Sequence, residues 1–446
     1  MSSLRRMCLA TLTAALAALL GGCMVSETKP QVKLSAVQAV AQIEPAQLLD
    51  VAVREFDINL PEKIAKDDDA LAKKRIYPDV RKAEAALLPS MLRNTLESSS
   101  QWGAVRVVPP SVQFMDVLVS GKIIESTGAH LALEIHVVDS AGRVWLDHKR
   151  YEADADTGTY KTDASLRARD PFQNIYAQIA NDMVARRDAL SGAERREIRR
   201  ITGLRFAADI APGALGDYFA TDAKSGLSHV TRLPATDDPV YSRVEKIRER
   251  DATVVDTVDS YYAGFTDKLR DSYGSWRRAS FDAIEKEERT RSQARTRTVL
   301  GAAAVLASIF VPTQCSGSSV NCARVEDAAR YAGEIGGVAA IYSGIKKYGE
   351  AKTYASAVKE LASTFQNEVA PQVIELQGRT LKLTGTAEEQ YREWRRLLGE
   401  IYREEAGTAT ASAPSVPAAA PVAPVVPAAP SAPATTPAEP APAKSN

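Results

Sequence analysis

Hydrophobic positions change their spacing several times along the chain, and each change marks an element. Met7 to Leu20 carries no charge and follows Arg5 and Arg6. A short positive segment, an apolar stretch and small residues in that order describe a secretory signal peptide over 1–22. The stretch falls short of the roughly 20 residues a transmembrane helix needs. Residues 23–46 are polar or small, with Pro30 and Pro45, and read as a tether. Residues 49–57 alternate as a strand does. From Asp79 to about Ser98, Val80, Ala83, Leu87, Leu88, Met91, Leu92 and Leu96 recur at helical spacing. Pro89 inside that run predicts a kink or a break. Val105–Val108 is a short strand stopped by Pro109 and Pro110. Three further strands, 116–125, 130–139 and 143–153, follow, the last two around a Ser140-Ala141-Gly142 turn. Strand, helix, strand and a three-stranded meander predict an α+β domain over 47–155, with helix on one sheet face.

Residues 156–238 read as a helical connector. Asp170-Pro171-Phe172 predicts a helix start with Asp170 as N-cap, and Phe172, Ile175, Ile179 and Met183 form the apolar stripe. Ser191 with Glu194 reads as a capping box. Residues 203–239, rich in Gly, Pro and Asp, read as irregular. Over 239–370 the period becomes helical again. Val244, Ile247, Asp251, Val254, Val258, Tyr261, Phe265, Lys268, Tyr273 and Trp276 approximate a 3,4 spacing, with Asp251 and Lys268 as polar breaks. One helix to about Val311 and a second over 325–369 predict an αα-hairpin. It is either a coiled-coil-like arm or part of a helical bundle. Residues 371–405 predict a short β-hairpin around Gly378, then a helix opened by Thr386 and Glu389. Residues 406–446 hold ten prolines and two charged side chains. Such a tail has nothing to build a core from and is expected to be disordered, with polyproline II character.

Composition narrows the function classes. Lys+Arg and Asp+Glu each total 56, so the net charge is zero, and 45% of residues are apolar. A nucleic-acid binder would show a basic excess or stripe. Gly301–Phe310 and the Gly333/Gly337 segment are too short or too charged to span a bilayer, and tight helix packing accounts for their small residues.

Leu20-Gly21-Gly22-Cys23 resembles the bacterial lipoprotein signal, in which the cysteine is acylated and becomes the first residue of the mature chain. That resemblance implies an anchor of several acyl chains, enough for firm membrane attachment. Met24, in place of the aspartate that retains enterobacterial lipoproteins at the inner membrane, implies the outer membrane, periplasmic side. Cys8 leaves with the signal and Cys23 carries lipid, so Cys315 and Cys322 are left to pair as a disulfide in an oxidising compartment.

Residues 116–151 also resemble a known group, the TolB amino-terminal/LpoB/CsgG-like domains. The resemblance rests on Ser120-Gly121, Val138-Asp139, Gly142 and Trp145, with Val51–Phe56 as the first strand. It implies a small sheet-and-helix domain working through protein contacts, and it transfers no catalytic residue.

Candidate chemistry is sparse. His130, Glu134 and His136 share a strand face by their even spacing, and a tight turn sets Asp147 opposite His136. These are possible zinc ligands, but the alternating Leu131, Leu133, Ile135 and Val137 favour a solvated polar face, so no metal is assigned. No nucleophile elbow, phosphate loop or dinucleotide fingerprint is present in the sequence. The chain therefore reads as a non-enzymatic lipoprotein without cofactor. Its expected partners are the membrane, through its lipid, and envelope proteins or peptidoglycan machinery, in cell-wall regulation, secretion or envelope assembly. An oligomeric pore or secretion component, built as a homo-oligomer, is the alternative. A metal-dependent envelope hydrolase ranks below both.

Overall fold

The structure is a computed structural model that describes residues 32–160, 169–310, 359, 372–376 and 379–411. Its elements are, in chain order, β1 (Val51–Arg54), α1 (Asp68–Lys73), α2 (Pro78–Ser98), β2 (Val105–Val108), β3 (Val117–Ser126), β4 (His130–Asp139) and β5 (Val144–Asp154). These are followed by α3 (Gln173–Asp188), α4 (Gly192–Ile210), α5 (Pro212–Leu215), β6 (Phe219–Thr221) and β7 (Ser228–Val230). The chain ends its described course with α6 (Pro239–Phe310), β8 (Gln372–Leu376), β9 (Arg379–Leu383) and α7 (Ala387–Ala411). The fold is mixed α and β, as expected.

Five strands form one sheet in the order β2-β1-β3-β4-β5. β1 runs parallel to both neighbours, and β3, β4 and β5 form the antiparallel meander. Val51, Ala52 and Val53 are all buried, as a strand covered on both faces requires. One face carries Val53, Val119, Ile123, Leu133 and Ile135 against Leu88 and Leu92 of α2 and Ile175, Ile179 and Met183 of α3. The other face offers Ala52 and Val108 to Phe206 of α4, Ile247 of α6 and Trp394 and Leu398 of α7. The strand–helix–strand segment thus shares its core with residues as far along the chain as Leu398, 346 positions beyond Ala52.

Pro89 neither breaks nor ends α2. A proline lacks the N–H that would bond the carbonyl of Ala85. Here that carbonyl accepts from Phe56 N–H at 2.9 Å instead, just beyond β1. The orphan acceptor has become a tertiary contact.

Three expectations need correction. Asp170 does not cap α3 as its N-cap; the helix starts at Gln173, and the Asp170 carboxylate accepts from Phe172 N–H at 2.8 Å in the preceding turn. Residues 203–239 are not irregular throughout. α4 continues through Gly203 to Ile210 because Leu204, Phe206 and Ala207 are buried, and packing outweighs the low helix propensity of one glycine. In α6, Lys268 is exposed, and Tyr262 and Leu269 hold the core side. The steps 258, 262, 265, 269 follow the 3.6-residue period without a polar break.

The Ser191–Glu194 capping box forms with both reciprocal bonds, and Thr386 and Glu389 exchange the same pair. β8 and β9 pair antiparallel, with Leu376 opposite Arg379; Gly378 lies outside the described residues. α6 spans 72 residues, about 108 Å at 1.5 Å per residue. The expected second arm over 325–369 lies outside the described residues, apart from Lys359, as does the 406–446 tail beyond Ala411. No helix among the described residues is long and apolar enough to cross a membrane.

Candidate functional site

β5 is an edge strand, and it is irregular where it matters most. Leu146 pairs with Val137 and Lys149 with Ile135, so Asp147 and His148 together oppose the single residue His136. That is a β-bulge. His148 sits in the left-handed region at φ +44, a conformation costly for a side chain with a Cβ. In a regular strand Asp147 and His148 would point to opposite faces. The bulge brings both toward His136.

The resulting cluster is compact. His136 Nδ1 lies 3.7 Å from Asp147 Oδ1, and His148 Nδ1 lies 3.2 Å from Glu134 Oε1. The two imidazoles stack with centroids 4.7 Å apart. His136, Asp147 and His148 each offer a ligand atom within 4.8 Å of the others. His136 Nδ1 is shielded from solvent and has no hydrogen-bond partner. Of the expected trio, only His136 belongs to this group; Glu134 reaches it through His148. His130 does not. It lies at the far end of β4, with its Nδ1 2.9 Å from Asp154 Oδ1. His148 was not expected here, because a two-against-one register leaves no mark in the hydrophobic alternation.

The resemblance motifs have structural jobs. Asp139 accepts from Trp145 Nε1 at 2.9 Å and from Arg143 N–H at 2.9 Å, closing the β4–β5 turn in which Gly142 adopts φ +89. Burial pushes the Asp139 carboxyl upward, and these donors oppose the shift. A Cβ on Gly121 would lie 2.5 Å from the Phe56 ring, so glycine there makes room for the first-strand aromatic.

A second concentration of polar groups joins α6 to the sheet domain. Glu84, fully buried on α2, accepts from Tyr273 Oη at 2.7 Å and from Ser126 Oγ. Arg277, 1% exposed, donates to Asp170 Oδ2 at 2.9 Å and lies over the rings of Phe172 and Tyr273. Burial alone would lower the Arg277 pKa; the Asp170 carboxylate overrides it and holds the guanidinium well above its ordinary value. Asp259 of α6 accepts from the Val107 N–H of edge strand β2 at 2.7 Å and from Arg93 at 3.0 Å. An edge that would otherwise present free donors is thereby covered. The sequence marks Asp170, Phe172 and Tyr273 only as a cap and apolar positions, and does not single out Glu84, Arg93, Ser126, Asp259 or Arg277, whose partners lie far along the chain.

A shallow cleft between the β4–β5 turn and α4 is lined by Arg143, Glu194, Glu197, Ser228 and His229. Its main charges are already committed, with Arg143 and Glu194 3.3 Å apart. Cys23, Cys315 and Cys322 lie outside the described residues. No family model, no curated protein and no solved structure matches this chain.

Proposed function

We propose that this protein is a lipid-anchored component of the bacterial envelope that acts by binding other proteins. The anchor is acylated Cys23, and the site of action is the periplasmic face of the outer membrane. The observation that carries the reading is the sequence Arg5-Arg6, an uncharged run over Met7–Leu20, and Leu20-Gly21-Gly22-Cys23. It has the order and length of a processed export signal. The working class of partner is the envelope assembly, secretion or peptidoglycan machinery suggested by the resemblance to TolB amino-terminal/LpoB/CsgG-like domains.

Two structural features support that resemblance. A helix connects the parallel strands β1 and β2, and a three-stranded meander follows. The motif residues Gly121, Asp139, Gly142 and Trp145 hold the sheet and its turn rather than a reacting group. A domain whose recurring residues are structural uses its surface, and function then lies in what that surface binds.

Crosslinking in living cells tests the reading. The wild-type chain is expected in the membrane fraction, joined to a reproducible set of envelope proteins. Cys23→Ser should leave that fraction and lose those crosslinks. A variant that fractionates and crosslinks as the wild type does would overturn the anchor and the binding role together.

A further inference from the structure

We propose that the outer side of the β4–β5 hairpin binds one divalent transition-metal ion of the zinc class, held by His136, Asp147 and His148, with Glu134 orienting the His148 ring. The argument begins with donor chemistry. Two imidazoles and one carboxylate are nitrogen and oxygen ligands suited to zinc, and imidazole selects against magnesium and calcium.

Spacing follows. Bonds of about 2.0–2.1 Å in a tetrahedron place ligand atoms about 3.4 Å apart. The His136 Nδ1–Asp147 Oδ1 separation, 3.7 Å, is close to that edge length, and His148 offers a ligand atom within 4.8 Å of both. The ligands come from both strands, His136 from β4 and Asp147 and His148 from β5. One ion would therefore clip the bulge between them.

Three further observations concern these residues alone. His136 Nδ1 is hidden from solvent and unpartnered, although the ring beside it is open enough to receive an ion, at 28% side-chain exposure. His148 holds a left-handed backbone conformation uncommon outside glycine; such conformations persist where the surroundings impose them, and they gather at functional positions. Arg150, which faces Glu134 in the register, turns its guanidinium to Glu152 at 2.7 Å and leaves Glu134 to His148. His130, although on the same face of β4, is excluded by its distance along the strand and its pairing with Asp154.

The test uses the full chain, stripped with a chelator and titrated with zinc by calorimetry. Cobalt in place of zinc gives a visible spectrum that reports tetrahedral coordination. One equivalent of each metal should bind at micromolar concentration. His148→Ala and His136→Ala should each weaken binding at least about tenfold, the scale seen even for groups that only support a ligand. His130→Ala should bind as the wild type does. If a histidine variant does not fold, Asp147→Asn, at an exposed position, should still weaken binding and alter the cobalt spectrum. Absence of binding at micromolar zinc overturns the proposal. So does equal binding by wild type, His136→Ala, His148→Ala and Asp147→Asn, which would mean an adventitious ion only.

Discussion

Asp251 sits where a charge is expensive. It is 8% exposed on α6, accepts from Trp394 Nε1 at 3.1 Å, and lies 3.9 Å from Arg395. Burial pushes its carboxyl up to about 6 from 3.8, with Arg395 and the Trp394 donor pulling the other way. The folded protein therefore holds this proton more tightly than the unfolded chain. Asp251 favours folding in full below about pH 3.8, and that advantage is lost as pH rises through about 6. The whole effect is about 3 kcal/mol, of which roughly 1.4 kcal/mol falls between pH 5 and pH 7.5. Asn at this position can still accept from Trp394 but does not titrate. Urea unfolding at the two pH values should show that Asp251→Asn removes about 1.4 kcal/mol of the wild-type difference. An unchanged difference would mean that Asp251 titrates normally.

At the scale of elements, the docking of α6 decides the architecture. Tyr273, Trp276 and Arg277 are buried against α2 and α3, and Trp276 meets Tyr77 edge-on at 6.1 Å. Gly128, between β3 and β4, lies against the α6 backbone. Its N–H donates to Ser280 Oγ at 3.1 Å, and an added Cβ would lie 2.0 Å from the Arg277 carbonyl oxygen and 2.4 Å from the Phe281 nitrogen. Those are main-chain atoms, so no side-chain rotation relieves the clash. Gly128→Ala should destabilise the protein by about 2–3 kcal/mol or more. Gly264→Ala, on the same helix with open space around it, should be neutral or stabilising by about 0.5–1 kcal/mol. Chemical denaturation of the two variants checks the pair, and equal effects would contradict the docking.

The same element shows what the sequence could and could not convey. Apolar spacing disclosed a long helix from Pro239 and most of its buried stripe, because the 3.6-residue period is local. It also disclosed the capping boxes at Ser191 and Thr386 and the meander strands within a residue or so of their ends. It could not disclose that Asp259 would cover the β2 edge, or that Arg277 would meet Asp170. Those pairings join residues 107 to 152 positions apart. That α2 runs on past Pro89 without a break was hidden for a related reason: the acceptor the proline frees is taken up by Phe56, whose proximity only the fold creates. In the histidine cluster, His136 and Glu134 were visible through even spacing. His148 was hidden by a one-residue bulge, which reverses the face of every position it touches.

For the whole molecule, the sheet is built from residues early in the chain and completed by α4, α6 and α7 from its later parts. A metal clip on β4–β5 would add rigidity at the edge strand. The proposed anchor and binding role both require delivery to the envelope, so the export signal is the central claim. Its most direct test is the mass of the amino-terminal peptide of the chain purified from cells. The account predicts a peptide that starts at Cys23 and carries the mass of a diacylglyceryl group and an amide-linked acyl chain. A mature peptide that keeps residues 1–22, or that contains Cys23 without lipid, would contradict it.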